Sequence, residues 1–377
     1  SATDGVLEHL DLCLDCRACE TACPSGVVYH ELIEETRIRL NKQRPKSLLD
    51  RMIEAMFFHV FPHPSRLRIA VLPARALQKM GLWNLVTHPS LTRLLPTKLQ
   101  KMQQMLPEDG PLWAEEIHGQ FPAKGERRAV VGLLTGCVSS VLQQHVNWQT
   151  IEVLRRAGCE VVVPRKQGCC GAIHHHAGDG DRAAQLARAN IDAFLGASAA
   201  DGTPLDYVVS NAAGCGAMLR DYAHLLRDDP GYSERAERFE AMSRDVSEVL
   251  VEFEPAHKPT KPMGMKVTYH DACHLAHGQG VTDPPRQILD WIPGIEVVPL
   301  FEAQMCCGAA GTYNLSQPEM ARQLGERKIR HIEQTGADVC VTGNIGCGMQ
   351  IESEARRLGV PLRVMHPVSL LYLAYCG

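Results

Sequence analysis

RRAVVGLLTGC at residues 127–137 and GMKVTYHDAC at residues 264–273 are two copies of one pattern, a short apolar run that ends on a cysteine. Each copy continues with a second apolar run that ends on an adjacent cysteine pair, a charged helical stretch, and a third run that ends on one cysteine. The order and spacing agree between the copies. A repeat of this kind indicates a duplicated structural unit.

Strand-like and helix-like segments alternate in both copies, which predicts α/β units with largely parallel sheets. In such units the loops at the carboxyl ends of the strands meet in one crevice. Because the cysteines follow the strands, we expect two sets of four thiolates. The first set is Cys137, Cys169, Cys170 and Cys215, and the second is Cys273, Cys306, Cys307 and Cys347.

The N-terminal stretch CLDCRACETACP places Cys13, Cys16, Cys19 and Cys23 in a C-x2-C-x2-C-x3-C-P run. This run is typical of a [4Fe–4S] ferredoxin site, and a zinc knuckle is the alternative. In two-cluster ferredoxins the fourth cysteine binds the other cluster. Since the chain has no second run, either Cys23 completes its own cluster or another run lies upstream of Ser1.

Fifteen cysteines in 377 residues, an odd number, do not indicate a disulfide framework. Soft thiolate ligands select iron–sulfur clusters, zinc or copper(I), and buried structural cysteines are the alternative for the two repeated sets. Cys159 and Cys340 lie in or beside apolar runs and are predicted to be core residues, whereas Cys376 has no predicted role.

Histidines accompany both repeats and could bind metal or shuttle protons. The run at residues 174–176 reads more simply as a solvated polar loop. The candidates are His174, His175, His176, His270, His274 and His277.

Residues 41–104 contain eleven Lys or Arg against two acidic residues, and prolines predict that this zone forms short helices. Together with Phe57, Phe58, Phe61 and Trp83, the charge suits an anionic membrane surface. Docking of an acidic partner subunit and an ordinary solvated linker are the other two interpretations.

Composition sets the remaining limits. With 45% hydrophobic residues, 22% charged residues and a net charge of −4, the chain is globular and nucleic acid is not expected as its main partner. No apolar stretch is long enough to span a membrane and no export leader is evident, so we expect a cytoplasmic protein with at most peripheral membrane contact. The predicted domains are 1–40, 41–125, 126–255 and 256–377.

The motifs QGCCGAIHHH, SNAAGCGA, MCCGAAGTYN and TGNIGCG, together with the N-terminal run, resemble the iron–sulfur subunits of glycolate oxidase. These belong to a wider group with paired CCG domains, which includes heterodisulfide reductase subunits and subunits of lactate and glycerol-3-phosphate dehydrogenases. The resemblance implies a ferredoxin-type module, a helical linker and two tandem CCG domains.

The resemblance also implies a function: relay of electrons from an FAD-containing partner that oxidises a 2-hydroxy acid toward quinone, at the cytoplasmic face of the inner membrane. No GxGxxG follows a predicted strand, so no catalytic residue is assigned to this chain. Heterodisulfide reductases carry a fifth cysteine per CCG unit, where this chain has Ala212 and Asn344. Four thiolates suit a cube, or zinc in one CCG site. A disulfide reductase and a zinc scaffold are the rival functions.

Overall fold

The computed structural model describes residues 4–41, 48–92, 95–108 and 110–376. In the described part before Gly119 there are helices and no strand, so a ferredoxin-type module stays a prediction. These helices are α1 (Asp4–Leu12), α2 (Ala18–Thr21), α3 (Tyr29–Asn41), α4 (Leu48–Val60), α5 (Pro64–Lys79), α6 (Trp83–Val86), α7 (Pro89–Thr92) and α8 (Thr97–Met105).

The first repeat forms a five-stranded sheet in the order β1-β3-β2-β4-β5, parallel except for its edge strand β1. The strands are β1 (Gly119–Phe121), β2 (Ala129–Leu134), β3 (Cys159–Val163), β4 (Tyr207–Ser210) and β5 (Ser243–Asp245). The helices are α9 (Ser139–Leu142), α10 (Gln144–Arg156), α11 (Ala172–His176), α12 (Gly180–Leu195), α13 (Ala213–Arg220), α14 (Tyr222–Leu225), α15 (Ser233–Met242) and α16 (Val246–Glu252).

The second repeat forms a parallel four-stranded sheet in the order β7-β6-β8-β9. The strands are β6 (Met265–Tyr269), β7 (Ile295–Val298), β8 (Val339–Val341) and β9 (Arg363–Met365). The helices are α17 (Cys273–Ala276), α18 (Asp283–Asp290), α19 (Tyr313–Ser316), α20 (Pro318–Thr335), α21 (Ile345–Leu358) and α22 (Pro367–Cys376). This order repeats β3-β2-β4-β5, so the predicted duplication into α/β units is confirmed.

One hydrophobic core joins the two halves. It contains Val131 and Val209 from the first sheet and Val267 and Val341 from the second, all at most marginally exposed. The C-terminal helix α22 packs against α10 of the first half, where the Ser369 hydroxyl donates to Gln149 Oε1 at 2.5 Å. Sheets covered on both faces explain why β2 and β3 read as continuous apolar runs.

The zone predicted to be a basic helical linker packs back onto both halves. Leu67 of α5 joins Val141, Leu142 and Met349 in a small core cluster. Prolines 64 and 89 begin helices as expected, but Pro73 lies inside α5, contrary to the prediction that it breaks the helix. Burial of the helix on both sides of Pro73, at Leu67 and Arg75, offsets the local cost.

Several cations of this zone point inward. Arg68 pairs with Glu116 at 2.8 Å, and Lys101 pairs with Glu354 at 2.6 Å. Arg75 is 2% exposed and donates to the carbonyl oxygen of Pro107 at 2.7 Å. Lys42, Arg44, Lys46 and Arg93 lie outside the described residues. The positive charge counted in the sequence is therefore not all available to a surface or partner. Among the described helices, none is both long and apolar enough to cross a membrane.

Candidate metal centres

The carboxyl ends of the strands carry the eight repeated cysteines, as the sequence predicts. In the first half, Cys137 follows β2, the pair at 169–170 follows β3, and Cys215 lies in the first turn of α13 after β4. In the second half, Cys273 begins α17 after β6, and Cys347 lies in the first turn of α21 after β8. Parallel strands thus deliver each set to one edge of its sheet.

The first set forms a continuous chain of thiols. Cys137 Sγ lies 3.3 Å from Cys169 Sγ, and side-chain contacts continue from Cys169 to Cys170 and from Cys170 to Cys215. Contact with Cys137 and Cys170, together with burial, raises the pKa of Cys169, and contact with Cys170 and burial raise that of Cys215. Cys137, Cys169 and Cys170 are buried and Cys215 is half-buried. Four thiols crowded in this way can all ionise only around a cation, so this donor set fits a metal or cluster.

The second set repeats the arrangement, with side-chain contacts from Cys273 to Cys306, Cys306 to Cys307 and Cys307 to Cys347. All four cysteines are buried, none more than 7% exposed. Contact with Cys306 and burial raise the pKa of Cys273 well above its usual value. The donor set therefore also fits a thiolate-bound metal or cluster.

The glycine of each CCG motif is required by a helix that crosses behind the cysteine pair. Gly308 has a φ of +89°, and a Cβ built on it would lie 2.7 Å from the carbonyl oxygen of Ala321 in α20. Gly171 has a φ of +94° and meets Ala183 of α12 at 3.3 Å in the same way. A side chain here would push the helix away from the cysteines.

Replacing Gly308 with alanine should therefore lower the free energy of unfolding by about 2–4 kcal/mol, from backbone strain and overpacking together. Gly202 is the matched control, since its φ is +86° and nothing lies within 4 Å of its Cβ position. Gly202→Ala should cost only about 1–2 kcal/mol, the strain alone. Urea unfolding of both variants tests this, and equal losses would contradict the role of the helix contact.

In the N-terminal run, the pKa values of three cysteines are raised and that of the fourth is lowered. Burial is the main cause that raises the pKa of Cys13, Cys16 and Cys19. The charge of a neighbouring thiol raises each pKa further: Cys19 raises that of Cys13, Cys13 that of Cys16, and Cys16 that of Cys19. The pKa of Cys23 is instead lowered, by the backbone N–H groups of Val27 and Ser25. Cys13, Cys16 and Cys19 therefore interact electrostatically with one another, whereas the causes that shift the pKa of Cys23 include no neighbouring thiol.

A buried ion pair holds this run against the first half. Arg17, 4% exposed, donates from Nη1 to Asp221 Oδ1 at 3.2 Å and makes a second, shorter contact to Oδ2. Arg37 of α3 also donates from Nη2 to the carbonyl oxygen of Cys13 at 2.6 Å. The loop that carries the cysteines is therefore held at its start, by Arg37, and at its middle, by Arg17.

The run lies beside the second cysteine set. The charge of Cys273 contributes to the raised pKa of Cys16, and Asp15 contributes to that of Cys273. The Tyr313 hydroxyl donates to the carbonyl oxygen of Leu12 at 3.0 Å. Burial raises the pKa of Tyr313, and the charges of Cys306 and Cys13 raise it further. The N-terminal site and the second set are thus electrostatic neighbours.

Both cysteine sets line one cavity of about 410 Å³. The rest of its wall is mostly apolar, and part of it comes from the linker helices, with Phe57, Phe61, Trp83, Met102 and Met105. The linker therefore covers part of the space between the two sets. No sequence pattern indicates this role, because the contacts join segments far apart in the chain.

The prediction that residues 174–176 form a solvated loop is wrong. They lie in α11, and His174 and His175 are each 3% exposed. His174 stacks on Phe58 with ring centroids 4.7 Å apart, and His175 Nδ1 lies 3.2 Å from Glu34 Oε1. Glu34, His175 and His176 could themselves hold a metal ion. Glu34 was missed because nothing local distinguishes it from other helical glutamates.

His176 predicts a pH dependence. Burial lowers its pKa, but Asp15 and Glu34, whose oxygens lie 3.2 and 3.1 Å from Nδ1, raise it to about 10. The folded-state pKa exceeds the unfolded value of about 6.5, so this stabilisation is complete below pH 6.5 and is lost as the pH rises through about 10. His176→Gln should therefore lose more stability relative to wild type at pH 6.5 than at pH 10. An equal loss in urea unfolding at both pH values would contradict it.

The remaining cysteines lie where the sequence places them. Cys159 in β3 and Cys340 in β8 are fully buried core residues, as predicted. Burial raises the pKa of each to about 12, which keeps these thiols protonated. Cys376 is exposed at the end of α22.

Family models match three parts of the chain. The cysteine-rich CCG domain matches residues 131–220 and 267–352, and the linker region of the glycolate oxidase iron–sulfur subunit matches residues 49–106. The probable glycolate oxidase iron–sulfur subunit of Bacillus subtilis is 37% identical over 385 residues, covering 98% of this chain and 85% of the relative. The chain belongs to the glycolate oxidase iron–sulfur subunit family.

Further relatives extend the family. The glycolate oxidase iron–sulfur subunit of Escherichia coli is 32% identical, covering 93% of this chain and 79% of its own. Lactate utilization protein A of Halalkalibacterium halodurans is 33% identical, covering 64% of this chain and 96% of its own. A crystal structure of a hypothetical Helicobacter pylori protein matches with a TM-score of 0.46 at 8% identity, covering 82% of this chain and 66% of that one. That likeness is too low to support an argument.

Proposed function

We propose that this chain is the iron–sulfur electron-transfer subunit of a flavin-dependent 2-hydroxy-acid dehydrogenase of the glycolate type. A partner subunit that contains FAD would oxidise the hydroxy acid, and this chain would carry the electrons toward a quinone-type acceptor. The observation that carries the proposal is the contiguity of three thiol sites. The N-terminal run adjoins the second set, and the second set shares a cavity with the first.

The residues that would hold the groups follow from the contacts. Cys13, Cys16 and Cys19 would bind a [4Fe–4S] cluster in the N-terminal run, with Cys23 turned toward another cluster. The CCG sets would bind one or two further clusters, or zinc in one of them. Bound iron–sulfur clusters would supply one-electron redox chemistry. The protein's part is to fix their order, exclude water and supply buried charge around the sulfur atoms.

Attachment to the cytoplasmic face of the inner membrane belongs to the same proposal. Leu48, Met52 and Met56 lie four residues apart on α4 and are 78%, 70% and 41% exposed. This spacing places them on one face of the helix. An exposed apolar stripe on a linker helix suits a lipid or partner surface. Vesicles of anionic and of neutral lipid would separate charge-driven from apolar binding.

Metal analysis of the anaerobically purified chain tests the proposal directly. We expect iron and acid-labile sulfide in the amounts of at least two clusters. The visible absorbance should bleach on addition of glycolate only when the flavoprotein subunit is present. A colourless protein with zinc and no iron would overturn the proposal in favour of a scaffold. Bleaching by glycolate without a partner would contradict the assignment of hydroxy-acid oxidation to a partner subunit.

A further inference from the structure

The two cysteine sets have equivalent thiols but different surroundings. Three residues before the first cysteine of each set, the first half has Leu134 at the end of β2 and the second half has His270 just after β6. Leu134 is a buried apolar core residue. His270 is fully buried in the corresponding place. At this position only the second half therefore has a buried imidazole.

A hydrogen bond fixes the tautomer of His270. Its Nδ1 lies 3.0 Å from the carbonyl oxygen of Ala303, and since a carbonyl oxygen can only accept, Nδ1 carries the proton. Nε2 is then the nitrogen with a free lone pair. Metal-binding histidines commonly show this arrangement, with the second nitrogen donating to a carbonyl.

The lone pair of Nε2 has no hydrogen-bond partner among the described residues. A ring nitrogen of His270, Cys307 Sγ and Cys347 Sγ all lie within 4.8 Å of one another. A buried polar atom without a partner costs free energy unless a ligand takes its lone pair.

A second difference adds charge to the same half. Lys328 of α20 is fully buried, and Nζ donates to the carbonyl oxygens of Glu302 at 2.5 Å and Ala303 at 3.3 Å. The thiols of the second set act on it electrostatically. Counted from the alanine behind each CCG glycine, the equivalent residue in α12 is Asn190, which donates to the carbonyl oxygen of Cys169 at 2.9 Å. The second set thus has a cation where the first has an amide.

We propose that His270 Nε2 is a fifth donor of the second cysteine set, so that this centre has nitrogen and sulfur ligands while the first centre has sulfur alone. The inference rests on the proposed metal centres. A buried cation such as Lys328 favours the more reduced state of a cluster. The second centre, which adjoins the N-terminal run, is therefore the more easily reduced of the two.

Pulsed electron paramagnetic resonance on the full chain tests this inference. The protein is loaded anaerobically with iron and sulfide, with natural-abundance or ¹⁵N-labelled histidine, and partly reduced. We expect a strong nitrogen coupling that changes on labelling. His270→Asn is the informative variant, because its amide can still donate to the carbonyl oxygen of Ala303 while no atom replaces Nε2. The nitrogen coupling should disappear in this variant.

His277→Asn is the control, since His277 lies near the same set but its Nδ1 contacts the Thr21 hydroxyl at 2.8 Å. It should keep the coupling. Persistence of the coupling in His270→Asn, or no histidine coupling in wild type that contains iron in this set, overturns the inference. The experiment on labelled wild type tests the inference even if the His270→Asn variant does not fold. If this set binds zinc, the protein is loaded with cobalt instead, and the coupling of the same histidine nitrogen to the cobalt is measured. Metal analysis shows separately whether the chain contains iron.

Discussion

Cys307→Ala is expected to lose the metal of the second set while the rest of the chain stays folded. Cys307 contacts both Cys306 and Cys347, so its loss splits the set into separated thiols. The affinity of the set for metal should fall by more than the roughly 10–100-fold that follows loss of an outer-shell partner. Iron, sulfide and zinc counted per chain, with and without the substitution, measure the effect.

Cys340→Ala provides the matched control for this prediction. Cys340 is equally buried and lies in the neighbouring strand β8, but its thiol is held protonated with a pKa of about 12. The control should lose some stability from the cavity and retain the full metal content. Equal metal loss in both variants would mean that Cys307 acts through packing and not as a ligand.

Arg17→Met is expected to detach the N-terminal run from the body of the protein. Removing Arg17 from this buried ion pair leaves the carboxylate of Asp221 with only His30, at 3.6 Å, as a charged partner, and loss of one partner of a buried pair costs about 3–5 kcal/mol. Since the pair holds Cys16 next to Cys273, electron transfer from the run to the second set should fall together with stability. Urea unfolding and stopped-flow oxidation of the reduced run measure the two effects.

The controls separate the pair from charge in general. Arg17→Met combined with Asp221→Leu should recover part of the lost stability, because no unpaired charge remains. Arg227, which pairs with Glu35 of α3 at 2.6 Å, joins the same segment to the first half but is 48% exposed. Arg227→Met should cost about 0–1 kcal/mol. A loss as large as that of Arg17→Met would refute the importance of burial.

The sequence was sufficient for the features that repeat locally. The alternation of strands and helices and the position of each cysteine just beyond a strand follow from periodicity and from the geometry of parallel sheets. These features depend on residues close together in the chain, or on a topology that leaves few choices.

The features that the sequence did not predict depend on distant contacts. His175 is buried because Glu34 meets it from a segment far earlier in the chain. Arg75 can be buried because the carbonyl oxygen of Pro107, more than thirty residues later in the chain, accepts a hydrogen bond from its guanidinium. Local pattern carries no information about such meetings, and polar residues are ordinarily assigned to the surface. The inward orientation of several linker cations could not be predicted for the same reason.

The shared core has a consequence for synthesis of the protein. The apolar face of α10 is covered by α22, which leaves the ribosome some two hundred residues later. Until Val368, Leu370 and Leu371 emerge, the first half exposes the surface that they will cover. The nascent chain is therefore open to chaperone binding and aggregation over most of its translation. A nonsense mutation just before α22 should harm the half that is already complete in sequence.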